Sequence, residues 1–358
     1  MVTFDWHIIK RVTGSYVLLV AGLILFFILL HYLEHIDDFL DSKAPLTRIY
    51  TVYYPSYIPE IVRLISPLAL FLAAIYVTGK LAQRLEIIAL QTGGVALYRL
   101  LIPYSLVGLA ASALMLIVGG WLAPRTNQTV LDYDSLYLKD APKQVDISDI
   151  HLQNDPLSVI TVGYFNRRTS TAHRVLLQRF STDGRLTERI DAQTMVWRDS
   201  VWHIPYGTVR AFDGDRETRR VAVSIDTILQ VFPRDLARTE RDIETMTIPV
   251  AADYVDALRR SGTADIGHAE VGYYTKYTYP LANLIVMLIA LPLACTRRRG
   301  GQAVQIGLGL LVAFSYLAVQ KLTEPFGYSG ELDPMLTAAL PHAVFLIGAL
   351  MALRWSRA

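Results

Sequence analysis

The sequence predicts a membrane α-helical protein with six transmembrane helices and an inserted all-β, jelly-roll-like domain outside the cytoplasm. Three observations carry that reading. The 358 residues are 53% hydrophobic and 18% charged, with a mean hydropathy of +0.33. That is too apolar for an ordinary soluble domain and too charged for a chain made only of helices in lipid. Six apolar stretches are long enough to cross about 30 Å of hydrocarbon, three before a polar central block and three after it. The central block itself alternates apolar and polar residues over strand-length segments.

The six stretches run approximately Tyr16–Tyr32, Ile61–Val77, Leu100–Leu122, Tyr279–Cys295, Val304–Leu322 and Leu336–Leu353. The first has the basic-then-apolar look of a signal peptide. Its apolar run is too long for that and no small-residue cleavage site follows, so a retained span is expected. Pro67 and Pro292 fall inside spans, where neighbouring helices must satisfy the freed carbonyls. Lys10, Arg11, Lys80, Arg84, Arg99, Arg297, Arg298, Arg299, Arg354 and Arg357 gather on one side, against mainly Lys43 and Arg48 in the other side's short loops. The positive-inside rule then puts both termini in the cytoplasm and the central block outside it.

That block, residues 125–268, contains seven strand-like runs: VDISDIHL, SVITVGYF, RVLLQRFS, RLTERIDA, TMVWRD, VWHIPYGTVRAF and VAVSIDTILQVF. Asp183-Gly184 and Asp213-Gly214 mark tight turns between them. No helical period intervenes, so a sandwich or jelly roll is expected rather than a βαβ fold. VAADYVDALRRSG then has helical spacing at Ala252, Val255 and Leu258 with a Gly262 stop.

Net charge is +2, which gives no indication of nucleic-acid binding, and the single cysteine, Cys295, bars an intramolecular disulfide. Gly79-Lys80 lacks the glycine-rich loop of a phosphate-binding motif, and neither a G-x-S-x-G elbow nor Cys-x-x-Cys occurs. The chain therefore reads as a non-enzyme without a cofactor, and any nucleotide chemistry belongs to another chain. His31, Glu34 and His35 match H-x-x-E-H, an inverted zinc-protease signature. The motif ends a membrane span, has no placed third ligand and runs into IDDFLD, so a polar helix end is preferred and no metal is assigned. Glu60, Arg63, Lys321 and Glu324 sit near outer span ends, where long side chains reach interfacial water. The absence of charges at mid-membrane argues against coupled transport of a small polar solute and for a cavity that handles something apolar.

The segment RLEIIALQTGGVALYRLLIP, residues 84–103, is long and amphipathic for a turn between two spans. From Lys80, the residues Leu81, Leu85, Ile88 and Ala89 fall on one helical face, and Gly93-Gly94 should end the helix. Two readings stand on the residues alone: a helix floating at the headgroups, or one docking into a cytoplasmic partner.

GKLAQRLEIIALQTGGVALYRLLIP resembles the E-(hydrophobic)-x-A-(hydrophobic)-x-x-x-G-(Val) segment of the lipopolysaccharide export permeases LptF and LptG, with Glu86, Ala89, Gly94 and Val95 at the pattern's positions. YYPSYIPEIVRLISPLALFLAA, WLAPRTNQ, FPRDL, MTIPVAADYVDALRRSG and KYTYPLANLIVMLIALPLACTRRRGG continue the resemblance in order along nearly the whole chain. It implies a half-transporter of the inner membrane with a periplasmic β-jelly roll, more similar to LptG than to LptF. Implied partners are an LptB-like cytoplasmic ATPase dimer, an LptF-like second permease, LptC- and LptA-like bridge proteins, and a glycolipid substrate. It also implies three segments: spans one to three over 1–124 with a coupling helix at about 80–97, the β domain over 125–268, and spans four to six over 269–358. Arg84, Glu86, Ala89, Gly94 and Val95 are the implied ATPase-coupling residues. Phe26, Phe27, Leu70, Phe314 and Leu317 are expected acyl-chain contacts, with His31, Arg63 and Lys321 as polar neighbours. HYLEHIDDFLDSK departs from the family, which carries basic residues suited to lipid phosphates there; only Lys43 and Arg48 offer positive charge nearby. Two other functions remain from the residues: a membrane scaffold for periplasmic assembly without transport, and the zinc protease set aside above.

Overall fold

A computed structural model describes residues 3–42, 45–138, 148–166, 169–214, 216–236, 240–261, 266–295 and 301–355. Lys43, Gly262, Arg297, Arg298, Arg299 and Arg357, all named above, lie outside the described residues. The chain divides into two compact units. One comprises Met1–Ala141, Glu244–Ile248 and Glu270–Ala358, and the other Pro142–Ile243 and Pro249–Ala269.

The first unit is helical. In chain order it contains α1 (Thr3–Glu34), α2 (Ile36–Asp41), α3 (Leu46–Arg48), α4 (Tyr54–Gln83), α5 (Glu86–Thr92), α6 (Leu97–Ile117) and α7 (Ala123–Tyr137). Single π turns at Ile49–Tyr53 and Val118–Leu122 join α3 to α4 and α6 to α7, so both arms run on as continuous helices. The strands β1–β6 and helices α8 (Pro233–Leu236) and α9 (Ile248–Ser261) follow, then α10 (Gly267–Thr278), α11 (Leu281–Ala294), α12 (Gly301–Tyr328) and α13 (Pro334–Trp355). Among the described residues, five helices are long and apolar enough to cross a membrane, and the pair α10–α11, bent by 52° at its break, makes a sixth if counted as one span. The bend has a local cause: Pro280 lacks the amide hydrogen that would continue the ladder, and Asn283 Nδ2 donates back to its carbonyl at 3.2 Å.

In hydrocarbon, burying apolar side chains gives no net drive, so helices associate by close packing and interhelical hydrogen bonds. α4 and α11 supply both. Ala69, Ala73 and Ala74 of α4 and Ala282, Ala290 and Ala294 of α11 are fully buried. A Cβ on Gly108 of α6 would stand 3.0 Å from the Leu284 Cα of α11, and one on Gly309 of α12 would collide with Ile75 of α4. A polar chain crosses the packing: Tyr16 Oη donates to Ser66 Oγ at 2.7 Å, and Ser66 Oγ donates to Asn283 Oδ1 at 2.9 Å. The Tyr279 hydroxyl, at the break between α10 and α11, donates to the Leu64 carbonyl of α4 at 3.0 Å and adds another tie between these helices.

The second unit is built on one antiparallel sheet: β1 (Ser148–Asp155), β2 (Ser158–Asn166), β3 (Thr171–Phe180), β4 (Leu186–Arg198), β5 (Val201–Asp213) and β6 (Arg216–Thr227). Each strand pairs with its chain neighbours in the order β1-β2-β3-β4-β5-β6. The inserted all-β domain is present, but two details differ from expectation. RLTERIDA and TMVWRD form a single strand, β4, and the six described strands make a meander without the interleaved pairing of a jelly roll. Short hairpin turns explain the order; Gly184 and Gly214 adopt φ of 77° and 60° there, as the Asp-Gly signals required.

The sheet carries a crease. Ile160 and Val162 face the core of β2 and then Phe165 does; on β3 it is Leu177 and Val175, then Ala172; on β4, Ile190 and Ala192, then Met195; on β5, Trp202 and Ile204, then Val209. Inward parity therefore changes within each strand while the pairing register holds. The line of change runs through Arg174 and Ser224, both in the left-handed region at φ 54° and 56°. Gly163 sits opposite Arg174 because any Cβ there would meet the arginine Nε at 2.6 Å, and Arg174 Nη2 donates to the Gly163 carbonyl at 3.1 Å. Trp202, fully buried near the start of β5, donates through Nε1 to the Val231 carbonyl at 2.6 Å. α9 adds Ala251, Tyr254, Val255 and Leu258 as its buried face, shifted by one position from the expected Ala252.

Two outcomes follow from this packing. Gly108→Val should destabilise the helical unit by about 1–3 kcal/mol through overpacking, whereas Gly22→Val, where nothing lies within 4 Å of the new Cβ, should leave the detergent melting curve unchanged. In the β unit, Ser158, the Leu157 amide and Asn154 bond the Asp155 carboxylate and hold its pKa below the usual value. A depressed carboxylate stabilises the fold above its unfolded pKa and loses that contribution as pH falls through the folded one. Asp155→Asn should therefore flatten the acid limb of the stability–pH profile, below about pH 4, and leave it unchanged at pH 7 apart from a constant offset.

Candidate functional site

The segment between α4 and α6 is not one helix from Lys80 onward, as its periodicity suggested. α4 ends at Gln83, and Leu85 turns the chain with φ 61° before α5 begins at Glu86. A left-handed leucine costs roughly 1–2 kcal/mol, so neighbouring structure must hold it there. The far end of α5 is a Schellman motif: the Gly94 amide donates to the Gln91 carbonyl and the Val95 amide to the Leu90 carbonyl, both at 3.0 Å. Gly94 takes φ 85°, and a Cβ added there would meet open space, so the requirement is for backbone freedom and not for room. Val95 and Leu90 supply the accompanying apolar contact against the core.

The expected apolar face is also divided. Leu81 is buried at the end of α4, and the inward side chain of α5 is Ile87. Leu85 and Ile88 are 45% and 44% exposed, and Ala89 lies beside them in the open. Glu86 occupies the first turn of α5, where a carboxylate suits the helix dipole, with Arg84 at 4.0 Å. Both are too exposed for that pair to fix a geometry. The result is a small outward platform of Leu85, Ile88 and Ala89, bordered by Glu86 and Arg84 and closed by Gly94 and Val95. Arg99, in the first turn of α6, reaches across to α1: its Nη1 and Nη2 donate to the two Asp5 carboxylate oxygens at 3.0 and 2.6 Å.

The expected lipid contacts separate into groups. Phe26 (55% exposed) and Phe27 stand edge-to-face on α1 with centroids 5.8 Å apart, and Phe314 (61% exposed) and Leu317 lie on an open face of α12. Leu70 is a correction: it has no exposed surface and belongs to the packed core with Phe71 and Ala74, because α4 is the helix the others pack around. Lys321 is exposed and bonded to Glu324 at 2.8 Å. Arg63 is held by Glu60 through Nε at 2.9 Å and lies over the Tyr279 ring at 5.6 Å.

His31 enters a cluster that the sequence did not single out. Its ring stacks on His35 at 4.3 Å, and its nitrogens face the Tyr53 hydroxyl at 3.3 Å and the Tyr54 hydroxyl at 3.5 Å. Tyr53 donates to Asp134 Oδ1 at 2.7 Å, tying the π turn before α4 to α7. His35 Nδ1 is engaged by the His31 carbonyl at 3.1 Å. The two imidazoles thus stack on each other and are spent on tyrosines and backbone, an arrangement unlike a chelating pair. Tyr32, Tyr50, Tyr57, Tyr133 and Tyr137 complete a shelf of phenols around them. The signal in the sequence was the density of tyrosine in IYTVYYPSY; only the return of α7 shows what it meets.

Similarity to known proteins bears on the same elements. A family model described as "Lipopolysaccharide export system permease LptF/LptG" matches residues 6–355. The LptG permease protein of the lipopolysaccharide export system of Escherichia coli strain K12 is 22% identical over 316 residues, spanning 83% of this chain and 82% of that protein. The corresponding protein of Haemophilus influenzae strain Rd is 20% identical over 308 residues, 81% of each chain. A match over almost the whole length, on a chain with apolar spanning helices around an inserted antiparallel sheet, is decisive: this protein belongs to the LptF/LptG family of lipopolysaccharide export system permeases.

Proposed function

We propose that the protein is an LptG-like permease subunit of an ABC transporter in the inner membrane. It extracts lipopolysaccharide, or a related glycolipid, and passes it to LptC- and LptA-like periplasmic bridge proteins. A separate LptB-like ATPase dimer powers it, an LptF-like permease completes the cavity, and this chain itself catalyses no reaction. Both termini are cytoplasmic and the β domain is periplasmic, in keeping with the positive flanks of the spans.

The observation that carries this reading is the α5 platform. A helix that merely floated at the headgroups would direct its apolar side chains back toward the bilayer. Here Ile87 serves the core while Leu85, Ile88 and Ala89 face away from it. Ala89 permits close approach, and Glu86 offers a carboxylate to a basic residue of the motor. Gly94 and Val95 act indirectly, by fixing where the helix stops. Phe26, Phe27, Phe314 and Leu317 are proposed to meet acyl chains, with Arg63 and Lys321 nearer the headgroup and His31 within the tyrosine shelf. A scaffold without transport is the competing function, and it requires neither a motor nor a bound lipid.

The purified protein should therefore co-isolate an ATP-hydrolysing subunit and a glycolipid visible by native mass spectrometry; recovery of a pure permease with neither would favour the scaffold. Glu86→Lys should lower retention of the ATPase about tenfold, equivalent to ~1.4 kcal/mol. Gly94→Val should lower it similarly by unwinding the end of α5, while also reducing thermal stability. The two variants are separated by their melting curves, which Glu86→Lys leaves unmoved.

A further inference from the structure

α1 is buried in an unusual pattern. Across 32 residues its fully buried side chains are Asp5, Ile8 and Val12, all in the first three turns. Ile8 and Val12 belong to the same packed cluster as Ile87 of α5 and Leu97 and Leu100 of α6. Higher up, Leu18, Leu25, Phe26 and Leu29 are exposed. The helix is thus most deeply buried at its base, among the residues that flank the α5 platform, while a half-buried stripe runs up the rest of it beside α4, with the Tyr16–Ser66 hydrogen bond midway and the His31–Tyr53 contacts at its outer end.

The base is clamped by charge. Both oxygens of Asp5, which is 3% exposed, are taken by the two terminal nitrogens of Arg99. A bidentate arginine–carboxylate pair fixes direction as well as distance, and a carboxylate this buried has strong reason to keep its partner. Arg99 stands one turn into α6, joined to the Schellman turn at Gly94 by four intervening residues, Val95 to Tyr98, the first of which packs against the core. The path from the platform to the clamp is therefore short, one hydrogen-bonded turn and four residues.

We infer that Asp5 and Arg99 are a positioning pair that makes α1 move as one body with α5, so that displacement of the platform is delivered along α1 to its outer end. This rests on the proposed permease function. A continuous helix of this length is about 48 Å long at 1.5 Å per residue, enough to carry a displacement at one membrane surface to the other. Neither residue touches lipid or nucleotide in this scheme; they act through the orientation of α1.

The test uses the whole complex in proteoliposomes and reads glycolipid extracted per ATP hydrolysed. Asp5→Asn keeps the shape of the side chain, and Arg99 is exposed enough to be hydrated when its partner loses charge, so the fold should survive. Asp5→Asn and Arg99→Gln should each retain the ATPase and its hydrolysis rate but lower the extraction-to-hydrolysis ratio about tenfold, within the usual range of coupling free energies. Asp5→Arg/Arg99→Asp should restore much of the ratio, as a pairwise interaction requires, and Arg99→Lys should fall between. An unchanged ratio overturns the inference, as does a parallel fall of hydrolysis and extraction, which would mark a merely structural bridge. The unmodified protein is the control that separates the two ideas: if it binds neither ATPase nor glycolipid, the permease function fails before any variant is compared.

Discussion

Close approach of helices without a hydrophobic drive is the constraint on which the membrane unit depends. Alanines along α4 and α11 let the two backbones draw together, and Gly108 and Gly309 bring α6 and α12 onto them. Dispersion contacts then do what water exclusion does in a soluble core. Polar groups follow the same logic: the Tyr16–Ser66–Asn283 chain and the Tyr104 hydroxyl donated to Thr78 Oγ1 at 2.6 Å are satisfied pairwise inside the packing. A buried Tyr316–His342 pair does the same between α12 and α13. With α4 at the centre, the peripheral helices α1 and α12 keep one face free, and the residues proposed for lipid contact lie on those faces.

How much of this was legible in the sequence varies with the kind of information needed. Among the described residues, hydropathy located each helix long and apolar enough to span, because crossing hydrocarbon demands a run of apolar residues whatever the neighbours do. It did not reveal that the fourth span is broken, since Tyr279-Pro280 reads as apolar enough to continue. Strand content and the Asp-Gly turns were legible for the same local reason. The single strand β4 was not, because Gln193 interrupts the alternation at the crease, where parity changes by geometry and not by a break in pairing. The left-handed Arg174 and Ser224 have no signature of their own; only Gly163, forced by the side chain opposite, leaves a trace.

The candidate site shows the same division. Gly93-Gly94 announced the end of α5 correctly, since a left-handed C′ position is a backbone requirement that glycine meets at little cost. The facing of α5 was misjudged because Leu81 and Ile88 were counted on one helix, whereas the turn at Leu85 reorients the second against the first. Leu70 looked like a lining residue from its place in a span, but facing depends on which helix is central, and that is set by contacts distant in sequence. The Asp5–Arg99 pair and the histidine–tyrosine shelf join residues 94 and 22 positions apart, respectively, and no periodicity records such meetings.

The turn at Leu85 has a mechanical consequence. Glycine would take a left-handed turn at far less strain, and would also yield under force, since it has many neighbouring conformations to slip into. A leucine confined at φ 61° has few. An elbow built from it resists bending, so a push on α5 is passed to the helices behind it and is not absorbed in the joint.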